Sequence, residues 1–260
     1  MKSEKCKFAL IGSGRVASHL APALIAGGME CVAVYSPTYS NAEALASKVG
    51  SKVMNLPKLV ANEVDFVLLS VKDDAITEVT KAFPIGYPSV VLHTSGGTSI
   101  NALAPIRHRG VLYPMQTFSL DRDLCIPDIP IFTEATDEFT LNMIGRITHV
   151  LRSKEVHPLS SDERVRLHLA SVFACNFVNH LYAQADRVMK SIRLDFSLLA
   201  PLVEETLSKA IDNAPHSVQT GPATRRDQKT IDRHLALLQG DAHRIYEVIT
   251  QSIIHEQFPD

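Results

Sequence analysis

The chain has no cysteine pair, no long apolar run and no surplus of either charge, and each absence closes a class of function. Its four cysteines, Cys6, Cys31, Cys125 and Cys175, are scattered through 260 residues. There is no Cys-x-x-Cys spacing and no histidine at zinc-ligand distance, so no metal site is expected. Three of the four stand within apolar runs, and buried, reduced thiols are the expectation. No apolar run approaches the roughly 18 residues of a membrane span, and the opening "MKSEKCKF" has no apolar signal core. A cytoplasmic protein without a membrane partner is the reading. A formal net charge of -2 offers nucleic acid no basic surface. Small-molecule substrates and protein partners remain. The composition, 45% apolar and 21% charged, is that of a soluble globular protein with length enough for a large core.

What is present is an alternation. "CKFALI", "CVAVY", "KVMN", "DFVLLSV", "SVVLHT" and "GVLYP" are short runs apolar at successive positions, as strands buried on both faces are. Helical patterns lie between them, from Asn41 to Val49 with Ser40 as N-cap, and from Asp74 to Phe83. A further pair, "IPIFT" and "KEVHP", flanks a helix from about Asp137 to Leu151. Strand, helix, strand repetition predicts an α/β fold with a doubly wound, mostly parallel sheet over residues 1–157. After Pro158 no strand pattern appears. Ser160 to Ile192, Phe196 to Asn213 and Thr230 to Ile254 read as three helices of an all-α domain, 158–260. The first is expected to bury a stripe of Leu167, Ala170, Ser171, Ala174, Val178 and Leu181.

The segment after the first strand, Gly12-Ser13-Gly14-Arg15-Val16-Ala17, is G-x-G-x-x-A opening a helix. Gly12 permits a tight turn, Gly14 lets a pyrophosphate approach the backbone, and Ala17 lets helix and strand pack closely. The helix amino terminus then offers free N–H groups and its dipole to phosphates. The end of the second strand, "VYSPTYS", carries no acid to hold the ribose hydroxyls. Ser36, Thr38 and Ser40, with Arg15 in the neighbouring loop, can bond a phosphate, so NADP is favoured, with NAD the alternative. Pro22, inside the first helix, has no functional account.

In parallel sheets ligands sit beyond the carboxyl ends of the strands. Ser70, Val71 and Lys72 after the fourth strand and Thr94 after the fifth are therefore candidate cofactor contacts. Ser95 is a candidate catalytic group, and His93 and Gln116 are candidate substrate contacts. In each loop the alternative is a polar turn that satisfies its own backbone or caps a helix near Ser99.

The motifs "LIGSGRVASHL", "LSVKDDAI", "LHTSG", "YPMQTFS", "HLASVFACNF" and "TGPATRRD...TIDRHLALL" span nearly the whole chain. Together they resemble a group of NAD(P)-binding oxidoreductases that pair a Rossmann domain with a helical domain of unknown function, DUF 2520. The group is similar to the beta-hydroxyacid dehydrogenase, ketopantoate reductase and pyrroline-5-carboxylate reductase clan. The resemblance implies a helical domain of the 6-phosphogluconate dehydrogenase C-terminal type, a homodimer paired through it, and hydride transfer to a small carbonyl, imine or hydroxyacid-type substrate between the domains. Its dehydrogenases and ketopantoate reductases carry Lys-x-x-x-Asn on the first long helix of the second domain. Here Asn176 matches the asparagine, but Val172 stands at the lysine position. His168, eight residues before Asn176, is the substitute proton donor to consider. Arg225, beside a Gly-Pro turn, is a candidate anion clamp. His234 and His243 are expected at the surface. Two further readings stay open: a non-catalytic dinucleotide-binding regulator or scaffold, and a reductase coupled to a deazaflavin.

Overall fold

Eight short segments pair into one sheet, and the central ones are apolar at successive positions, as strands buried on both faces are. They are β1 (Lys7–Ile11), β2 (Glu30–Tyr35), β3 (Lys52–Val53), β4 (Phe66–Leu69), β5 (Val90–His93), β6 (Arg109–Pro114), β7 (Ile131–Ala135) and β8 (Val156–Pro158), in the order β3-β2-β1-β4-β5-β6-β7-β8. Every neighbouring pair is parallel except β6 and β7, which run antiparallel. The computed structural model describes residues 5–259. It divides into two compact units, one running to Cys175 and the other beginning at Asn176.

Side-chain alternation splits the first unit's core between two sheet faces. Phe8 and Leu10 of β1 point to one face with Phe66, Leu68 and Leu92, and Phe8 stacks on Phe66 at a centroid distance of 5.3 Å. Leu20 and Leu24 of α1 (Arg15–Ala26), Leu45 of α2 (Tyr39–Lys48) and Ile144 and Ile147 of α5 (Glu138–Val150) cover that side. Ala9, Ile11, Val67, Leu69 and Val91 point the other way, against Leu59 of α3 (Leu56–Val60) and Ile76 of α4 (Ile76–Thr80). Truncating a wholly buried ring such as Phe66 costs about 3–5 kcal/mol. The strand order reverses between β1 and β4, and such a switch point opens a crevice at the carboxyl ends of those two strands.

The helix following the sheet, α6 (Ser161–Ser171), starts with a capping box: Ser160 Oγ accepts from the Glu163 N–H, and Glu163 Oε2 accepts from the Ser160 N–H at 2.8 Å. The helix expected without interruption to Ile192 changes pitch over Val172–Phe177, a π turn, before α7 (Val178–Ser191). The second unit continues with α8 (Ala200–Asp212), α9 (Gln228–Leu237) and α10 (Gly240–Gln257).

Several expectations need correction. Thr38, not Ser40, is the N-cap of α2, so Ser40 lies in its first turn. The helix expected over Asp74 to Phe83 is a 3-10 turn, Asp73–Ala75, running into the short α4, and that near Ser99 is a 3-10 turn, Ile100–Leu103. Thr230 to Ile254 is two helices, because Leu238 and Gln239 are extended and end the helical run. The stripe on the first long helix is not buried: Leu167, Ser171 and Val178 are half-buried, and Ala170, Ala174 and Leu181 are exposed. The fully covered residue of α6 is instead Arg164. Only Cys6 and Cys31 are buried; Cys125, on the loop after β6, and Cys175, in the π turn, are exposed. His234 is exposed as expected and hydrogen-bonds the Tyr246 hydroxyl, while His243 is half-buried.

Candidate active site

The glycine loop sits at the switch point. Gly12 has φ +105°, and a Cβ there would lie 2.1 Å from the Ser70 carbonyl oxygen, because the end of β4 presses on the turn. Its N–H donates to the Tyr35 carbonyl at 2.8 Å and the Ser70 N–H donates to Ile11 at 2.8 Å, so the loop is tied to both flanking strands. Gly14 is different. It is the exposed N-cap of α1, with no side-chain cap and no acid in the first turn. A Cβ on Gly14 would meet only the Ser70 oxygen, at 3.9 Å. The first turn of α1 thus has no side-chain cap and the space at Gly14 is open, which is what a pyrophosphate requires. Ala17 is fully buried beneath them. These residues fit a dinucleotide.

Around this loop, Ser13 and Val16 are half-buried and Arg15 is exposed. Ser70 and Val71 are half-buried and Lys72 is exposed at the start of the 3-10 turn. Ser36 is half-buried; Thr38 and Ser40 are exposed, and the Thr38 hydroxyl makes no capping bond. That leaves it available to a ligand.

The loop after β5 is turned inward. His93 is fully buried, its Nδ1 accepts from the Ser95 N–H at 3.2 Å, and no hydrogen-bond partner reaches Nε2. Burial first, then the Arg164 charge, pushes its pKa down to about 4 against a weaker opposing pull from Ser99, so the ring is neutral. The ring has no exposed surface and holds the loop from within. Thr94 and Ser95 are also buried. Thr94 Oγ1 donates to Leu69 at 3.4 Å. Ser95 Oγ donates to Thr98 Oγ1 at 2.9 Å and accepts from the N–H groups of Gly97 and Thr98. Gln116 is exposed, and its Oε1 accepts from the Thr117 N–H at 2.8 Å.

His168 enters from α6. Its helix is fixed by Arg164, one turn earlier, whose wholly buried guanidinium pairs with Glu134 on β7 and donates to the Thr98 carbonyl at 2.5 Å. Ser161 Oγ donates to Glu134 at 2.8 Å and accepts from the Ile100 N–H at 3.0 Å. The His168 ring then meets Tyr113 at the end of β6, edge to face at 6.0 Å, with its Nδ1 3.2 Å from the phenolic oxygen. Gly96 makes this approach possible: a Cβ there would stand 2.7 Å from Tyr113 Cζ and 2.8 Å from His168 Nδ1. A Cβ on Gly97 would lie 3.3 Å from Asp73 Oδ2. Groups following β4, β5 and β6 thus gather with His168 at one end of the sheet. Sequence reasoning missed Tyr113 although it quoted "YPMQTFS". The available signal was a polar-tipped ring in the last turn-facing position of a buried strand.

Asn176 and Arg225 belong to the second unit. Asn176 is exposed in the π turn. Arg225 is exposed at the end of the 3-10 turn Ala223–Arg225, beside Arg226, which takes φ +50° and lays its guanidinium 4.2 Å over the Phe258 ring. Asp227 caps α9 by accepting from the Thr230 N–H. Among the described residues no group of three or more His, Cys, Asp or Glu could hold a metal ion, and no helix is long and apolar enough to cross a membrane.

Two family models match: "NADP oxidoreductase coenzyme F420-dependent" over residues 7–92, and "Domain of unknown function (DUF2520)" over residues 129–253. No curated protein matches the sequence. Among solved structures, a Thermotoga maritima protein shares 19% identity at a TM-score of 0.68, covering 96% of this chain and 98% of that one. A reductive aminase from Aspergillus terreus, solved with NADPH4, cyclohexanone and allyl amine, shares 15% identity at a TM-score of 0.72, covering 97% and 95%. A 1-pyrroline-5-carboxylate reductase from Streptococcus pyogenes shares 13% at 0.65, covering 97% and 99%; at such identities the likeness is one of fold. A Bacteroides fragilis protein, described as a "putative NADP oxidoreductase", shares 36% identity at a TM-score of 0.89 over 96% of this chain and 98% of its own. With that identity over nearly its whole length, the chain belongs to the same family of NADP oxidoreductases, with a Rossmann nucleotide-binding fold and a DUF2520 region.

Proposed function

We propose that this protein is an NADP-dependent oxidoreductase that exchanges hydride with a small carbonyl, imine or hydroxyacid-type compound. The observation that carries the reading is the pairing, on one sheet unit, of an uncapped α1 amino terminus under Gly14 with an imidazole, His168, held at the ends of β5 and β6. In this reading the N–H groups following Gly12, Ser13 and Gly14 hold the pyrophosphate, and Arg15, Ser36, Thr38 and Ser40 recognise the 2′-phosphate. Val16, Ser70, Val71, Lys72 and Thr94 line the cofactor. When bound, NADPH would supply the hydride in reduction and NADP+ would accept it in the reverse direction. His168 moves the matching proton at its free ring edge; on the second unit, the exposed Asn176 and Arg225 are offered by themselves as a polar contact and an anion contact. Ser95, whose Oγ bonds Gly97 and Thr98, is the candidate catalytic hydroxyl of the loop that meets His168.

Titration of nicotinamide fluorescence tests this first. Tighter binding of NADPH than of NADH, by tenfold or more at about 1.4 kcal/mol per decade, supports the phosphate-reading turn, and Arg15→Ala should erase most of that preference. Failure to bind either nucleotide overturns the reading. Reduction of cyclohexanone with allyl amine, which the Aspergillus aminase was solved with, is a practical first assay, with His168→Ala as its control.

A second reading, hydride exchange with a deazaflavin, is favoured by the description of the model matching residues 7–92. A homodimer through the helical region is supported by the exposed apolar side chains Leu198 (62%), Leu202 (64%) and Ile211 (72%), which a single chain leaves to water. Light scattering should give twice the chain mass, falling to one for Leu202→Glu/Ile211→Glu. A cytoplasmic setting belongs to the same proposal.

A further inference from the structure

We propose that Tyr113 is the positioning residue for proton transfer: its hydroxyl engages His168 Nδ1, which leaves Nε2 as the edge where the ring exchanges protons with a substrate. The inference rests on the role given to His168 above.

Three observations support it. The phenolic oxygen is 3.2 Å from Nδ1, and no other hydrogen-bond partner reaches the ring among the described residues. Both rings are held from behind: Tyr113 packs on Phe132 across the β6–β7 ladder, and His168 follows by one helical turn the buried Arg164 that locks α6 to Glu134 and Thr98. Gly96 is the third, since any side chain there would enter the space in which the two rings meet. A phenol suits Nδ1 because its oxygen both donates and accepts. It accepts from Nδ1–H of an imidazolium, and it donates to a bare Nδ1.

The proton balance follows. In the reducing direction hydride passes from NADPH to the carbon of C=O or C=N, and the imidazolium gives its Nε2 proton to the oxygen or nitrogen. The product is an alcohol or amine, NADP+ and a neutral imidazole that keeps Nδ1–H against the Tyr113 oxygen. The ring is recharged from water. The phenol keeps its own proton throughout. Burial, the foremost cause, raises the pKa of the phenol above its ordinary value, and the charges of Cys175 and Asp73 add to it against Ser171 and Arg164.

The test uses the full chain with labelled histidine nitrogens, His168 being assigned by the loss of its signals in His168→Gln. Tyr113→Phe keeps the ring and removes the hydroxyl. The expected result is a change at Nδ1 and in the tautomer ratio of His168; unchanged signals overturn the proposal. Gly96→Ala, which forces the rings apart, should produce the same change if Tyr113→Phe folds poorly. In the cyclohexanone and allyl amine assay, Tyr113→Phe should lower kcat about tenfold or more with KM and NADPH affinity unchanged. Combined with His168→Ala it should add nothing, whereas a merely structural tyrosine gives additive losses and overturns the proposal. If the ring signals respond but NADPH does not bind, the oxidoreductase reading fails and the hold of Tyr113 on His168 stands.

Discussion

Arg164 of α6 and Glu134 of β7 form an ion pair whose guanidinium has no exposed surface. Removing one partner strands the other charge, which costs about 3–5 kcal/mol, whereas replacing both by apolar groups of similar size is often neutral. Arg164→Ala should therefore lower stability to denaturant far more than Arg164→Met/Glu134→Leu does. The apolar pair should nonetheless loosen the Thr98 carbonyl and Ser161 contacts beneath the active-site loop. Equal losses in the two variants would contradict this account of the pair.

Gly12 and Gly14 should respond oppositely to the same added methyl. In Gly12→Ala the Cβ runs into backbone at φ +105°, so thermal stability should fall by about 1–3 kcal/mol or more along with cofactor binding. Gly14→Ala has room in the free protein. Its melting temperature should stay within a degree or two of wild type while NADPH affinity falls about tenfold, because the methyl occupies the approach of the pyrophosphate. A calorimetric scan and a binding titration on each variant separate the two roles.

His93 makes stability depend on pH. Its folded pKa near 4 lies below the ordinary 6.5 of an unfolded histidine, so between those values the unfolded chain binds the extra proton. Stability from the buried neutral ring is complete above pH 6.5 and is lost as pH falls toward 4, by about 3 kcal/mol in all. His93→Gln should flatten that part of the profile. A His93→Gln curve parallel to wild type between pH 4 and 6.5 would remove the histidine as its source.

Thiol labelling should be biphasic. Cys125 and Cys175 are exposed, while Cys6 and Cys31 are buried with pKa values pushed up to about 11, by burial above all. Two equivalents of a maleimide should react quickly at pH 7, and the other two only when the protein unfolds. Four fast equivalents would mean that the Cys6 and Cys31 sites open.

The sheet was legible because buried parallel strands write themselves as unbroken apolar runs, and the glycine loop because its spacing follows from backbone geometry. Both stand where "FALIGSGRVA" put them. The long helices were harder. Their apolar stripes are the same whether a helix buries them in its own chain or leaves them for something else, so Leu167 and Ala174 were wrongly expected inside. Arg164 was passed over for the reverse reason: a charged residue reads as surface until a carboxylate from a distant strand, Glu134, is seen beside it. Tyr113 and His168 are 55 residues apart. No local pattern links them, and the Gly96 that lets them meet looks in sequence like an ordinary loop glycine.

The π turn Val172–Phe177 changes which residue stands one turn before Asn176. A π turn closes five residues on, not four, and so amounts to one residue more than an α-helix of the same span. Counting back four from Asn176 reaches Val172, but counting back one turn along this helix reaches Ser171. By either count the position holds no lysine, and the π turn is a second departure from a regular Lys-x-x-x-Asn helix. Ser171, one π turn before Asn176, carries a hydroxyl beside the Tyr113 phenol, whose pKa it lowers against the raising effect of burial.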